Sequence, residues 1–226
     1  MAEKIFSAIL AAGGSGTRFG GAVNKVYLPL CGQTVIGVSL DKLLHHPLVA
    51  EVIVVYRKED EAVLMPILAE KGAGSGIPLL AVPGGDTRRD SVKKGLDLAS
   101  SERVLVHDAA RPFWDEAWIG DLAAALDEVP GASVAVLSPD TVKLADERGR
   151  VISTTERSRT WLVQTPQAFD RDILLRAHLI LPDSEPVTDD CSMLEKLGYP
   201  VQLIPGSPKN RKITVPEDLE VSGSCQ

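Results

Sequence analysis

The sequence predicts an α/β fold built on a mostly parallel, twisted sheet. Short apolar runs alternate with stretches of helical spacing, and turns rich in Gly or Pro follow most of those runs. Hydrophobic residues make up 44% of the 226 residues and charged residues 24%, a globular balance that argues against disorder. Area scaling gives a chain of this mass roughly 10,000 Å² folded against roughly 35,000 Å² unfolded, so a full core needs no staples. Residues 1–226 are therefore expected to form a single domain.

The elements follow in order. Residues 5–10 are an apolar run that ends in a Gly-rich stretch, as a buried strand entering a loop does. Residues 34–46 space Val35, Val38 and Leu43 as a helix, ended by Pro47. Strands are predicted at 51–56, 79–82, 103–107 and 133–137, and helices at 59–71, 90–99 and 115–129, with Asp115 as the last helix's N-cap. After Pro139 the rhythm changes. Residues 140–164 alternate polar and apolar side chains around a Gly149 turn, which predicts a protruding β-arm. Helices at 170–181 and 190–197, strands at 201–204 and 212–215, and a short helix from Pro216 complete the chain. Parallel strands place their C-terminal ends along one edge, where ligands bind. The Gly-rich and charged clusters follow strands and are expected on that edge.

The charge balance is 24 Lys+Arg against 31 Asp+Glu, a net −7. Proteins that coat nucleic acid carry a basic face, so a polymer partner is not expected. Net charge is global, however, and leaves room for a locally positive pocket. Cys31, Cys191 and Cys225 are odd in number and widely spaced, and predict no disulfide framework or zinc knuckle. His45, His46, His107 and His178 form no helical metal-ligand motif. No apolar run approaches a membrane span, and the N-terminal residues do not resemble a signal peptide. The expected compartment is the reducing cytoplasm.

The strongest chemical signal is Leu10-Ala11-Ala12-Gly13-Gly14-Ser15-Gly16-Thr17-Arg18, followed by Lys25. A strand feeds a loop of small residues whose backbone N–H groups can approach phosphate oxygens, and two cations follow. It is not a Walker A loop, since Gly-Lys-Ser/Thr is missing. It is not a dinucleotide fingerprint either, since Phe19 stands where the third Gly would fall.

This loop resembles that of nucleotidyltransferases that join a nucleotide to a phosphorylated sugar or polyol. Further motifs narrow the resemblance: residues 83–92 (PGGDTRRDSV), 106–112 (VHDAARP), 140–143 (DTVK), 164–167 (QTPQ), 188–190 (TDD), 212–214 (KIT) and 216–219 (PEDL). The set is similar to the signature of the 2-C-methyl-D-erythritol 4-phosphate cytidylyltransferase (CDP-methylerythritol synthase) family, from residue 5 to about residue 219. The resemblance implies a Rossmann-like nucleotidyltransferase domain. Its reaction would transfer CMP from CTP to 2-C-methyl-D-erythritol 4-phosphate, with Mg²⁺, yielding 4-diphosphocytidyl-2-C-methyl-D-erythritol and pyrophosphate for mevalonate-independent isoprenoid biosynthesis. It also implies a homodimer whose 140–164 arms reach across to share active sites.

Carried over by resemblance, Arg18 and Lys25 stabilise the transition state. CTP contacts fall on Ala11, Ala12, Gly13, Gly14, Gly16, Gly85, Asp86, Ser91 and Ala109. Contacts to the acceptor's phosphate and diol fall on Asp108, Arg111, Thr141, Arg157, Thr165 and Lys212. Asp108 faces the diol or Mg²⁺, or else pairs locally with Arg111. His107 is expected to be packed rather than catalytic, and Asp86 read alone would be an ordinary helix cap. The chain departs from the family pattern in a Gly-rich loop longer by one residue, in Asn24 where Pro usually precedes the Lys, and in Val26 where Gln is common. Two other functions remain open at this point. One is ribitol-5-phosphate cytidylyltransferase, with similar motifs. The other is a non-catalytic nucleotide-binding module, disfavoured because Arg18, Lys25, Arg157 and Lys212 are all retained.

Overall fold

Alternation of side chains along the first strand sets the layers. In β1 (Phe6–Ala11), Phe6, Ala8 and Leu10 face one side and Ile9 the other, all buried. The structure, a computed structural model, describes residues 3–14, 24–215 and 217–220. β1 lies inside a seven-stranded sheet with β4 (Val49–Tyr56), β5 (Leu79–Pro83), β6 (Arg103–Asp108), β7 (Gly131–Leu137), β10 (Trp161–Asp170) and β11 (Val201–Pro205). The order is β11-β7-β10-β6-β1-β4-β5. β1, β4, β5 and β6 are mutually parallel, as are β7 and β11, while β10 runs antiparallel to both its neighbours.

Helices cover both faces. Ile36, Leu40 and Leu43 of α1 (Val35–His45) and Ile119 and Leu122 of α4 (Trp118–Ala125) pack with Phe6, Leu10, Val52, Val54 and Leu105. Leu64 and Leu68 of α2 (Glu61–Gly72) join that core. On the other face, Val92 and Leu96 of α3 (Arg88–Leu98), Leu174 and Ala177 of α5 (Arg171–Ile180) and Met193 and Leu194 of α6 (Asp190–Lys196) meet Ile9, Ile53, Val55, Val106 and Phe169. Two small antiparallel pairs stand apart: β2 (Pro29–Leu30) with β3 (Gln33–Thr34), and β8 (Lys143–Ala145) with β9 (Val151–Thr154). α7 (Glu217–Glu220) is the last described element.

The alternating β/α reading and the arm hold; four local readings do not. β10 was not predicted, and residues 161–164, read as the end of the arm, pair with β7 in the central sheet. Buried polar residues mask this strand: Gln167 donates to Ser133 Oγ (3.2 Å) and Asp189 (2.8 Å), and Gln164 donates to the Ser207 carbonyl (3.0 Å). Their partners lie far off in sequence, so no period shows. Residues 212–215 form no strand; Ile213 N–H bonds the Ala110 carbonyl at 2.8 Å within an irregular segment. The helix read from 115 starts at Trp118, because Asp115 accepts from Ala117 N–H (3.0 Å) in a preceding turn. Cys31 is disulfide-bonded, although the cysteine spacing predicted no disulfide framework, whereas Cys191 is a free, buried thiol.

β1 has β4 on one side and β6 on the other, so the sheet order reverses beside it. Parallel sheets open a crevice at such a point, outside the strand C-termini. The packing beneath that crevice is tight. A Cβ on Gly95 would lie 2.7 Å from Ile9 Cγ2 and 3.1 Å from Val55 Cγ2, so α3 needs glycine to approach β1 and β4. Gly95→Ala should cost roughly 1–2 kcal/mol, overpacking outweighing the gain in helix propensity. Urea unfolding of the variant checks this.

Candidate active site

Two cavities of about 330 and 320 Å³ open at the C-terminal edge of β1, β5 and β6 and share Arg88, Asp108 and Lys212 as a common wall. The first is lined by Ala11, Ala12, Gly13 and Gly14 after β1, by Lys25, and by Gly85, Asp86 and Ser91 after β5. The second is lined on its far side by Arg111, Thr165, Gln167 and Asp189.

The glycine turn after β5 is shaped by its neighbours. Gly84 N–H bonds the Tyr56 carbonyl at 2.7 Å and Gly85 N–H bonds Ser91 Oγ at 3.1 Å. A Cβ at Gly85 would fall 2.3 Å from Asp90 Cβ, so only glycine fits there. Thr87 caps α3 in a capping box with Asp90. The cap reading of Asp86 is thus replaced, and Asp86 stands at the cavity.

Lys25 opens a 3-10 turn held by Asn24. Asn24 is buried, donates to the Ala12 carbonyl (3.1 Å) and to Asp60 (3.0 Å), and accepts from Val26 N–H (3.4 Å). Its side chain therefore ties the Lys25 turn to the end of β1. Arg18 and Gly16 lie outside the described residues.

Asp108, the last residue of β6, is the centre of charge. Its carboxylate meets Lys212 Nζ at 2.7 Å, Arg88 Nε at 3.6 Å and Arg111 Nε at 3.8 Å. Burial alone would raise its pKa. Lys212, then Arg88 and Arg111, outweigh that and hold the carboxyl well below the ordinary carboxylate range. Arg88 is held on its other side by Asp190, 1% exposed, at 2.7 Å. Arg111 donates through Nη1 to the Asn210 carbonyl at 2.8 Å. The local-pair reading of Asp108 is therefore partly realised, with Lys212 rather than Arg111 as the nearest cation.

His107 is fully buried against Trp114, with ring centroids 5.2 Å apart. Burial pushes its pKa down to about 3, although Asp108 opposes this, so the ring is neutral near pH 7. It is packed, as expected.

The structure gathers most of the predicted residues but not all. Ala109 is buried behind the first cavity, its N–H on the Ala11 carbonyl (3.0 Å), and Ala110 lines the cavity instead. Thr141 and Arg157 are exposed on the arm and line neither cavity. Sequence reasoning assigned no role to Arg88, Asp189, Asp190 or Asn210. One signal was available: Asp189 and Asp190 open a helix together, and once Asp189 takes the cap (Ser192 N–H, 3.0 Å), Asp190 needs a cation.

The sequence profile of the 2-C-methyl-D-erythritol 4-phosphate cytidylyltransferase (IspD) family matches residues 6–224. The chain belongs to that family. It is 37% identical to the 2-C-methyl-D-erythritol 4-phosphate cytidylyltransferase of Desulforamulus reducens, over 94% of this chain and 92% of that protein. It is 44% identical to the bifunctional enzyme IspD/IspF of Anaeromyxobacter dehalogenans over 93% of this chain, which spans only 54% of that longer relative. Its fold superposes on the crystal structure of 4-diphosphocytidyl-2C-methyl-D-erythritol synthase from Anaerococcus prevotii with a TM-score of 0.86 and 32% identity, covering 97% of this chain and 94% of that one. The activity is CTP-dependent synthesis of 4-diphosphocytidyl-2-C-methyl-D-erythritol in isoprenoid biosynthesis. The match sets aside the ribitol phosphate and non-catalytic alternatives.

Two outcomes are expected. Asn24→Ala should lower kcat roughly 3- to 10-fold by loosening Lys25. Asn24→Pro should lower it less, since the ring preserves the φ of −64°. Steady-state kinetics of both variants check this. Asp108→Asn should cost roughly 2 kcal/mol of stability near pH 7, because buried cations lose their anion. The folded carboxyl pKa lies below its unfolded value of about 4, so this stabilisation is complete above roughly pH 5 and declines as pH falls below about 4. Urea unfolding at both pH extremes checks it: the gap between wild type and variant should narrow in acid.

Proposed function

We propose that the first cavity takes CTP and the second takes methylerythritol phosphate. The observation that carries this reading is the shared Arg88–Asp108–Lys212 wall, which lets two anionic ligands meet at one cationic boundary. Backbone groups at Ala11, Ala12, Gly13 and Gly14, with the turn at Gly85, Asp86 and Ser91, line the first cavity and would read the base and ribose.

The reaction joins two anions. Unit like charges ~4 Å apart repel by about 4 kcal/mol at an effective dielectric near 20, so cations must offset that cost. Lys25 lines the triphosphate side and Lys212 the boundary; Arg18 is assigned beside Lys25 on the resemblance alone. Fixed cations that meet the charge growing on the α-phosphoryl oxygens and on the pyrophosphate lower the barrier. The attacking phosphate is already ionised near neutral pH, so no general base is needed. The neutral, fully bonded His107 is consistent with that.

Among the described residues no three His, Cys, Asp or Glu side chains gather as a metal cage. That donor set still fits Mg²⁺, which commonly takes one or two carboxylates plus substrate phosphates and waters. Asp86 is the carboxylate on the first cavity that would hold it together with substrate phosphates, since both oxygens of Asp108 already meet Lys212, Arg88 and Arg111. When bound, Mg²⁺ supplies neutralisation of triphosphate charge.

The partner is a second copy of the chain. Leu144, Val151 and Ile152 on the arm are 53%, 60% and 70% exposed, with Leu137, Leu162 and Val163 at its base also exposed. Contiguous exposed apolar side chains mark an interaction surface. Thr141 and Arg157 sit on this arm and line neither of the two cavities of their own chain, as side chains serving a partner's acceptor cavity would. Among the described residues no helix is long and apolar enough to cross a membrane.

Pyrophosphate release from CTP and Mg²⁺ tests the acceptor, with methylerythritol phosphate expected to be strongly preferred over ribitol 5-phosphate. Lys25→Ala should lower kcat by on the order of 10²–10³-fold, and an unchanged kcat would remove Lys25 from this role. Mixing Lys25→Ala with Arg157→Ala subunits should restore part of the activity. No recovery in verified mixed dimers would mean that each subunit holds a complete site.

A further inference from the structure

The hydrogen-bond directions around Thr165 constrain what this side chain can recognise. His107 Nε2 lies 3.0 Å from the Arg111 carbonyl, which can only accept, so Nε2 carries the ring proton. The ring is fully buried and its two nitrogens meet the Arg111 carbonyl and the Thr165 hydroxyl rather than a carboxylate, so it carries one proton and Nδ1 is a bare acceptor. Thr165 Oγ1, 3.1 Å from Nδ1, must donate its one hydrogen there. The same oxygen accepts from Asp108 N–H at 3.0 Å. With its proton committed, Thr165 has one lone pair left to offer the second cavity, which it lines.

We propose that His107 is a positioning residue that makes Thr165 an acceptor-only contact, so that Thr165 reads a hydroxyl of the polyol acceptor and not its phosphate. This rests on the assignment of the second cavity to methylerythritol phosphate. An ionised phosphate offers only acceptors, and two acceptors facing each other repel. The phosphate is left to Arg111 and Lys212, which present only donors. The same His107 ring also holds the Arg111 backbone, so one neutral imidazole sets the hydroxyl-reading and phosphate-reading ends of the cavity at a fixed spacing.

The test is a cycle between Thr165→Val and acceptors lacking one hydroxyl at C1, C2 or C3, read as kcat/KM for pyrophosphate release. One deoxy acceptor should lose roughly 3- to 10-fold with wild type. With Thr165→Val that loss should vanish, while the other two deoxy acceptors behave alike on both enzymes. KM for CTP should stay within about twofold throughout. His107→Asn, whose side-chain oxygen can accept in place of Nδ1, should preserve the wild-type discrimination. His107→Leu should abolish it while leaving the CTP KM intact. If Thr165→Val lowers kcat/KM equally for all acceptors, Thr165 contacts the phosphate and the proposal falls. Should His107→Leu not fold, His107→Asn decides beside the Thr165→Val cycle, and loss of the discrimination in folded His107→Asn would overturn the positioning role. Failure of wild type to use methylerythritol phosphate at all would instead overturn the cavity assignment.

Discussion

One buried carboxylate organises this active site. Asp108 ends β6 beside the point where the sheet order reverses, and the nearby Arg111 converges on it with Arg88 and Lys212 from distant parts of the chain. Without that anion, Arg88, Arg111 and Lys212 would repel one another inside a low-dielectric crevice, and none could be held close to the others. With it, each cation keeps a fixed place while retaining unspent hydrogen-bond donors for ligands. The carboxylate is also what joins the two cavities, since it stands in the wall they share.

The scaffold around Asp108 explains why the arrangement holds. β6 is a buried central strand, so its last residue has little freedom, and Asp108 N–H is bonded to Thr165 on β10. Arg88 starts α3, whose position against β1 depends on Gly95, and Asp190 at the head of α6 clamps its guanidinium from the other face. Asn210 ties the segment that delivers Lys212 to β10, through the Thr165 carbonyl at 2.9 Å and Gln164 at 3.1 Å. The polar residues of β10 are thus cross-links between the cation-bearing segments, which is why a central strand tolerates them.

Legibility in the sequence followed the range of the interaction. The Gly-rich end of β1, the PGGD turn and the helix periods are local patterns governed by backbone conformation and one-sided burial, and they read correctly. β10 did not, because Gln164, Thr165 and Gln167 are bonded to partners at Ser133, Asp189, Ser207 and Asn210 that no local window contains. Arg88 was passed over for a similar reason. At the first position of a helix an arginine looks like surface charge until Asp190, about a hundred residues later, is brought to 2.7 Å from it.

By itself, the sequence determined the α/β class, the sheet edge at which both cavities open, the protruding arm and, through seven motifs in order, the family. These follow from periodicity, turn chemistry and residue identity, which need no third dimension. Only the tertiary structure decided that a β10 strand is inserted antiparallel between β6 and β7, that Lys212 and Arg88 rather than Arg111 lie nearest Asp108, and that Thr165 has no proton left for a ligand. Each of those depends on which donors and acceptors meet across the fold. That pairing is set by packing distance, on which sequence spacing is silent.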